Sequence, residues 1–310
     1  MPQTEAIQYF HRYNNRLETE NIYGDALVRW LYQTKSGKCL SAVLCRGFVS
    51  QLYGAIQNTG WSRKKIDAFV RDYEIDMDAY LPEEGGTSES PYSSFNQFFI
   101  RRFKAGKRPF KPEANLLPAF AEGRYLGYEV IGPDQAIDVK GSELRLKTLL
   151  NNQKWFQVFN GGPLLICRLC PVDYHRFHFP DDGAIVDTYR IPGPYHSVNP
   201  IALKNRKHIL DTNERVVSIL ETEHFGKLAH IEVGAICVGK IVQTHDSTLP
   251  FQRGDEKGCF LFGGSTVIVI GEKGQWIPED DILNHSETGM ETYIKLGDVV
   301  GKRLEPTHSG

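Results

Sequence analysis

Cysteine, methionine and long apolar runs are scarce in this sequence of 310 residues. Six cysteines are too few for a disulfide scaffold, so the sequence predicts reduced thiols, as in a cytoplasm. No run of about 18 apolar residues occurs, which argues against a membrane-spanning helix. The first residues lack a basic stretch followed by an apolar one, so they predict no signal peptide.

A strong charge of either sign is also lacking. The formal net charge is -2, which argues against a nucleic-acid-binding protein, because such proteins rely on a basic surface. Apolar residues make up 41% of the chain and charged residues 24%, as is typical of a soluble globular protein. The length allows a large core and one or two domains.

Residues 1–93 are predicted to be a helical region that ends in a linker. Apolar residues recur at helical spacing in Tyr23–Gln33 and in Cys39–Ile56, and Ser62 has the residue type of an N-cap before a further helix. Basic residues lie among the apolar ones. This region therefore either docks on a membrane surface or packs on the protein's own core, and the sequence leaves both alternatives open.

The pattern changes beyond the linker at residues 82–93, which is rich in Pro, Gly and Ser. Residues 94–310 begin with a short aromatic and basic helix at Phe95–Phe103 and continue as β-branched segments bounded by Gly, Pro, Asn or Asp. Ser142–Asn151 is the one later segment that predicts a helix. The predicted fold class is α+β, a helical N-terminal region followed by a mainly antiparallel β domain.

Phe260–Ile270 contains two apolar runs on either side of Gly263, Gly264 and Ser265. Each run predicts a buried strand, and paired glycines indicate a bulge or a close approach to the backbone. A serine after two glycines is by itself typical of an ordinary turn. It becomes a candidate nucleophile only if other residues supply a base.

Asp173, His175 and His178 form the densest group of titratable residues before this serine. Two histidines and a carboxylate can orient, remove and return protons. Zinc binding by the two histidines with Cys167 and Cys170 is an alternative, but the spacing is much shorter than in zinc fingers, so no metal is predicted. A histidine-containing turn without function is a further alternative.

These motifs resemble those of the pyruvoyl-dependent phosphatidylserine decarboxylase family. The segment around Ser265 is similar to the family's self-processing site, and Pro171–His178 is similar to its Asp-Tyr-His-Arg element. Further blocks follow the family's order: Phe95–Phe99, Arg108–Pro109, Ser197–Pro200, Asn213–Arg215, Val233–Ala235 and Gly239–Ile241. The resemblance covers residues 90–305.

The resemblance implies that the chain cleaves itself between Gly264 and Ser265. The Ser265 hydroxyl attacks the Gly264 carbonyl to give an ester, loss of the serine α-proton eliminates the upstream chain, and the dehydroalanine left behind hydrolyses to a pyruvoyl group. His178 is the expected base, oriented by a carboxylate as in a Ser-His-acid triad. Glu122 stands where the family usually has aspartate. Its extra methylene moves the carboxylate by about 1 Å, which can cost on the order of 10²-fold in rate.

The pyruvoyl group derived from Ser265 is the cofactor that the resemblance implies. Phosphatidylserine is the implied substrate and phosphatidylethanolamine the product, with the group acting as electron sink. His175 is the expected proton donor in decarboxylation, and Asp173 is expected to hold its imidazole. The resemblance further implies peripheral attachment to a membrane, on the cytoplasmic side in a bacterium, and a homodimer in which the two cleavage fragments stay associated. No nucleic-acid partner is expected.

Two other functions are open at this point. A pyruvoyl enzyme could act on another serine-headed lipid or on a soluble amino acid. A homologue that has lost its processing would instead be a β-rich lipid-binding protein, and Glu122 is the feature that favours this alternative.

Overall fold

The computed structural model describes residues 7–20, 25–37, 55–235, 240–261 and 265–305. Short strands dominate it, rich in β-branched and aromatic residues. In chain order they are β1 Gln8–His11, β2 Arg16–Thr19, β3 Tyr80–Leu81, β4 Arg102–Phe103, β5 Leu116–Pro118, β6 Gly123–Tyr128, β7 Ala136–Val139, β8 Ser142–Arg145, β9 Leu164–Leu169, β10 Arg176–His178, β11 Gly183–Ile191, β12 Arg215–Thr222, β13 Lys227–Gly234, β14 Ile241–Gln243, β15 Glu256–Phe260, β16 Ser265–Gly271, β17 Trp276–Pro278, β18 Thr292–Ile294 and β19 Val299–Arg303.

The helices are short and connect the strands. The α-helices with defined bounds are α1 Asp25–Gln33, α2 Ile66–Asp72, α3 Phe95–Phe99, α4 Leu146–Leu150, α5 Gln153–Phe159, α6 Pro200–Asn205 and α7 Asp280–Glu287, and 3₁₀ helices cover Gly60–Lys65 and Met77–Ala79. Side-chain N-caps from Ser94, Asn152 and Asn199 begin α3, α5 and α6. Within the described ranges, no helix is long and apolar enough to cross a bilayer.

A nine-stranded sheet forms the centre of the molecule. Its strand order is β11-β12-β13-β16-β9-β6-β18-β1-β2, and all neighbours are antiparallel except β1 and β18, which run parallel. Every residue of β16 is buried. The valine and isoleucine run of β16 suits this place, because a strand that is covered on both faces reads as continuously apolar.

A three-stranded sheet in the order β10-β15-β14 packs on the central sheet. Phe177 of β10 and Phe260 of β15 are buried in the same hydrophobic core as Val267 and Val269 of β16. This packing holds β10, which ends at His178, against the layer that contains β16.

The α+β class is confirmed, but the N-terminal region is not wholly helical. The helix predicted at Tyr23–Gln33 is α1, whereas residues 8–19 form a hairpin of β1 and β2 that extends the central sheet through β18. The helical prediction was wrong for the hairpin because pairing with a distant strand, which no local pattern reveals, decides its structure. The helix predicted at Cys39–Ile56 lies almost entirely outside the described residues.

Two other local predictions are also corrected. Ser62 is not an N-cap: it is buried inside a 3₁₀ helix, where its hydroxyl contacts the carbonyl oxygens of Gln57 and Thr59 and accepts a hydrogen bond from the amide of Phe95. Ser142–Asn151 starts as strand β8 and becomes helical only at α4. The β domain also contains α5, α6 and α7, which the sequence pattern did not predict.

Helix α1 packs on the protein's own core. Leu31 and Tyr32 belong to the main hydrophobic cluster, and the Tyr32 hydroxyl accepts a hydrogen bond of 2.8 Å from the amide of Ser197. Trp30, which precedes these two residues, is 37% exposed. One face of this helix is therefore buried in the protein's own core. This agrees with the alternative in which the region packs on the core.

Buried charges anchor the N-terminal hairpin to the central sheet. Both carboxylate oxygens of Glu20 accept hydrogen bonds from the Arg168 guanidinium, at 3.0 and 2.6 Å, and Arg168 also donates two bonds to Glu291. Burial alone would raise the pKa of Glu20, but the charges of Arg168 and Arg124 outweigh burial and lower the pKa to about 2.

We expect the Glu20→Gln variant to lose about 3 kcal/mol of unfolding free energy at neutral pH, because each unit of pKa shift corresponds to about 1.4 kcal/mol. The folded-state pKa lies below the usual value of 4.5, so this stabilisation is complete above that pH and is lost as the pH falls towards 2. Chemical denaturation across this pH range should show the unfolding free energy of the wild type falling towards that of the variant.

A matched control is Glu287→Gln, which alters an exposed carboxylate at the end of α7. Its unfolding free energy should stay within about 0.5 kcal/mol of the wild type. A difference between wild type and Glu20→Gln that does not change with pH would contradict the role assigned to the Glu20–Arg168 pair.

Candidate active site

Ser265 is the first residue of β16, the buried strand at the middle of the central sheet. It is paired with Gly234 of β13 on one side and with Leu169 of β9 on the other. The residue is fully buried, and its Oγ has no hydrogen-bond partner among the residues that the structure describes. A buried hydroxyl normally has a partner, so this one is unusual. Gly263 and Gly264 lie outside the described residues.

His178 is the last residue of β10, and both of its ring nitrogens are engaged. Nδ1 lies 2.9 Å from the carbonyl oxygen of Gly254, and Nε2 lies 3.1 Å from the hydroxyl of Tyr174. A carbonyl can only accept, so Nδ1 carries the proton and Nε2 of the neutral ring accepts from Tyr174. Burial lowers the pKa of His178 below its usual 6.5. The imidazole is therefore neutral at pH 7, with its basic nitrogen at Nε2.

Glu122 is buried just before β6, and its carboxylate accepts four hydrogen bonds. Two come from the Arg108 guanidinium, one from the Tyr293 hydroxyl and one from the amide of Leu296. The expected hydrogen bond from His178 is not among them, because Nδ1 of that ring is bound to the Gly254 carbonyl.

A stack of side chains nevertheless connects Glu122 with His178. The Arg108 guanidinium lies 4.3 Å from the centre of the Phe103 ring. The Phe103 ring lies 4.5 Å from that of Tyr174, whose hydroxyl is bonded to His178. The link between the Glu122 carboxylate and His178 is therefore indirect and passes through Arg108, Phe103 and Tyr174.

His175 and Asp173 contact each other, but the Asp173 carboxylate takes no part in this contact. Nδ1 of His175 lies 3.0 Å from the main-chain carbonyl oxygen of Asp173. The Asp173 carboxylate instead accepts from Arg124 and from the amide of Cys170. The His175 ring packs on Phe99 with ring centres 3.8 Å apart. The imidazole is thus held by a backbone oxygen and an aromatic face.

Four further polar residues, which the sequence analysis did not select, form a network on β13, β14 and β15. His230, Glu232 and Lys257 are buried, whereas Gln243 is exposed. Glu232 accepts hydrogen bonds from His230 at 2.6 Å, from Lys257 at 2.9 Å and from Gln243 at 2.8 Å. Gln243 in turn accepts from Lys257 at 2.8 Å. Polar residues at alternate positions of the otherwise apolar β13 were the available signal, because a strand covered on both faces rarely contains them.

This network lies beside the elements of the site. Glu232 is paired with Val267 of β16, two residues beyond Ser265, and the His230 ring contacts Phe120 and Phe177 with ring centres 5.6 and 6.0 Å apart. Burial raises the pKa of Glu232, but Lys257 and His230 together outweigh burial and lower the pKa overall. The cluster therefore places an ionised carboxylate inside the core.

Cys167 and Cys170, the two cysteines considered as zinc ligands, contact other groups in the structure. Cys170 Sγ donates to a carboxylate oxygen of Glu20 at 2.8 Å and accepts from Arg168 at 3.2 Å, while Cys167 is buried in the central core. In the part of the chain that the structure describes, no group of three or more His, Cys, Asp or Glu residues has the arrangement of a metal site.

Comparison with known proteins identifies one family. The family model described as phosphatidylserine decarboxylase matches residues 95–302. A phosphatidylserine decarboxylase proenzyme of Clostridium tetani is 40% identical over 298 residues, which cover 96% of this chain and 99% of that protein. The proenzymes of Clostridium botulinum (strain 657) and Clostridium novyi are 39% and 38% identical, and the aligned part covers 96% of this chain and 99% and 100% of theirs.

We expect the Lys257→Met variant to lose about 3–5 kcal/mol of unfolding free energy, because it leaves the buried Glu232 carboxylate without its cation. Adding Glu232→Gln should recover part of the loss, since no buried charge is then unpaired. Lys227→Met is the matched control: it breaks an exposed pair with Glu221 and should cost at most about 1 kcal/mol. Equal losses in the two lysine variants, measured by chemical denaturation, would contradict this account of the cluster.

Proposed function

The chain belongs to the phosphatidylserine decarboxylase family, and from that premise we propose that it is a self-processing, pyruvoyl-dependent enzyme that converts phosphatidylserine to phosphatidylethanolamine. The observation that carries the proposal is the Ser265 hydroxyl, which is buried at the head of the central strand without a partner among the described residues. Such a hydroxyl fits the precursor of the pyruvoyl group, because no hydrogen bond to a described residue has to be broken before it reacts.

His178 is proposed as the base that activates Ser265. The support is its protonation state, since a neutral ring with its lone pair at Nε2 is the form that accepts a proton from a serine hydroxyl. The Gly254 carbonyl fixes the ring orientation through Nδ1. Tyr174 occupies Nε2, so its hydroxyl has to turn away, or relay the proton, when the serine reacts.

His175 and Asp173 are proposed to serve decarboxylation. The pyruvoyl group supplies the electron sink for the bond that breaks when CO₂ leaves. His175 is engaged at Nδ1 by the Asp173 carbonyl, and Nε2 is the atom proposed to take up and deliver a proton. Phe99 packs on this ring and excludes water from one side of it, which favours loss of a charged carboxylate.

Glu122 is proposed to support His178 indirectly. Its contacts to Arg108, Tyr293 and Leu296 hold one end of the stack that leads through Phe103 to Tyr174. A direct triad role, as the resemblance implies, stays a prediction that the variants described below distinguish from this indirect role.

Peripheral membrane binding is proposed for the surface around Trp61. Trp61 is 64% exposed, and Arg63 and Lys64 beside it are exposed too. An exposed aromatic residue among cations suits an anionic lipid surface. A homodimer and continued association of the two fragments are proposed from the family resemblance alone.

The alternative substrates, another serine-headed lipid or a soluble amino acid, keep the same chemistry. They are separated by measuring CO₂ release from phosphatidylserine vesicles and from free serine with the same cleaved preparation. Release from free serine at a comparable kcat/KM would favour the soluble substrate. The non-processing alternative predicts neither cleavage nor release.

We expect denaturing mass spectrometry to detect two polypeptides, residues 1–264 and a fragment from 265 to 310 that begins with a pyruvoyl group. Ser265→Ala and His178→Ala should leave the chain intact, because each removes a group needed for the first step. His175→Ala should still cleave but release little CO₂. A wild-type chain that stays intact after prolonged native incubation would refute self-processing.

The pH dependence of cleavage follows from the lowered pKa of His178. The pKa lies below 6.5, so the rate constant of cleavage should fall on acidification with a midpoint below pH 6.5 and should level off at higher pH. A midpoint above pH 6.5 would contradict the assignment of buried, neutral His178 as the base.

The Glu122 variants separate a direct role from an indirect one. If Glu122 acts through Arg108, Glu122→Gln should slow cleavage by about 10-fold through loss of the charge-assisted bonds, and Arg108→Met should slow it equally. Under the direct triad role Glu122→Asp should speed cleavage, and Arg108→Met should have a much smaller effect than Glu122→Gln. Pulse-labelled chains followed by gel electrophoresis give both rates.

A further inference from the structure

Asn213 is fully buried and makes three hydrogen bonds with its side-chain amide. Nδ2 donates to the carbonyl oxygens of His196 and Gly234, both at 2.8 Å, and Oδ1 accepts from the amide of His196 at 3.1 Å. The amide therefore uses three of its four bonding positions. It joins the loop that contains His196 to the end of β13.

Gly234 is the residue of β13 that is paired with Ser265. Its N–H donates to the carbonyl oxygen of Glu214 at 2.9 Å, and its carbonyl accepts from Asn213. Both polar backbone atoms of Gly234 thus point away from β16. The pair with Ser265 is consequently of the non-hydrogen-bonded kind, in which the Cα atoms approach to about 4.5 Å. The neighbouring pair of Val233 and Thr266 is of the hydrogen-bonded kind and holds the two strands on one side of this position. Gly234 itself is held by its bonds to Glu214 and Asn213 on the far side.

The loop held by Asn213 also covers the side-chain face of Ser265. A Cβ added to Gly234 would lie 3.2 Å from Cε1 of Tyr195. Side chains of directly opposite residues in an antiparallel pair project from the same face, so the Tyr195 ring lies on the face that carries the Ser265 hydroxyl. Ser197 in the same loop is held by the Tyr32 hydroxyl of α1.

We propose that Asn213 is a positioning residue for cleavage at Ser265. By fixing Gly234 and the Tyr195–Ser197 loop to each other, it sets the position of the backbone and of the wall beside the reacting hydroxyl. Attack on the preceding carbonyl needs near-contact geometry, and a displacement of about 1 Å costs on the order of 10²-fold in rate. This inference rests on the self-processing proposed above.

The first test compares Asn213→Ala with Asn152→Ala. Asn152 caps α5 by accepting bonds from the amides of Lys154 and Trp155, so its removal controls for the loss of a hydrogen-bonded side-chain amide elsewhere in the fold. Both variants should lower the thermal unfolding midpoint. Only Asn213→Ala should slow cleavage, by at least about 10-fold.

A second readout separates positioning from general destabilisation. Hydroxylamine attacks the ester between the Gly264 carbonyl and the Ser265 oxygen, forms a hydroxamate on Gly264 and releases a fragment with an intact N-terminal serine. Trapping this fragment reports the ester-forming step alone. In Asn213→Ala the trapped fragment should form as slowly as the pyruvoyl fragment, whereas a defect only in the later elimination would leave its rate unchanged and overturn the proposal.

A third variant decides the matter if Asn213→Ala does not fold. Gly234→Ala retains Asn213 but pushes the Tyr195 ring away from β13, and should slow cleavage. Adding Tyr195→Ala makes room for the new methyl group and should restore part of the rate. A Gly234→Ala chain that cleaves like the wild type would overturn the inference, as would equal cleavage rates in the two asparagine variants.

Failure of the underlying function has a different signature. If the wild-type chain itself stays intact, self-processing is refuted. If the wild type cleaves and the Asn213 and Gly234 variants cleave equally fast, only the positioning role is refuted.

Discussion

The register of β16 between β13 and β9 is the constraint on which the site depends. A one-residue shift of a strand that is buried on both faces would exchange every side chain between its two packing partners, so Ser265 is fixed opposite Gly234 and Leu169. The proposed base, His178, ends strand β10 of a second sheet. The phenylalanines of that sheet pack on the same core as β16.

Local patterns were sufficient for the buried strands of the central sheet and for the residues of one short segment. Continuous β-branched runs predicted β9, β13 and β16, since burial on both faces selects such residues whatever the topology. Two histidines and an aspartate within six residues indicated a reactive site directly, because these side chains can exchange protons wherever the chain places them. The family resemblance joined them to Ser265, which no spacing rule would have done.

Contacts between distant parts of the chain account for what the sequence did not predict. The partners of Glu122 include Tyr293 and Leu296, and the hairpin of residues 8–19 forms only by pairing with β18. Neither pairing leaves a periodic signal near the residues concerned. The Glu232 network was missed because its cation lies on β15, so that β13 alone shows only two buried polar residues in a mainly apolar strand.

The interleaving of strands has a consequence for the lifetime of the molecule. Two strands beyond residue 264 are inserted between earlier ones: β16 lies between β13 and β9, and β18 between β6 and β1. After the proposed cut, the short piece could leave only if the central sheet came apart. A damaged prosthetic group could then not be renewed by exchanging that fragment, so each molecule would carry one pyruvoyl group that cannot be replaced. Lost activity would return only when new protein is synthesised.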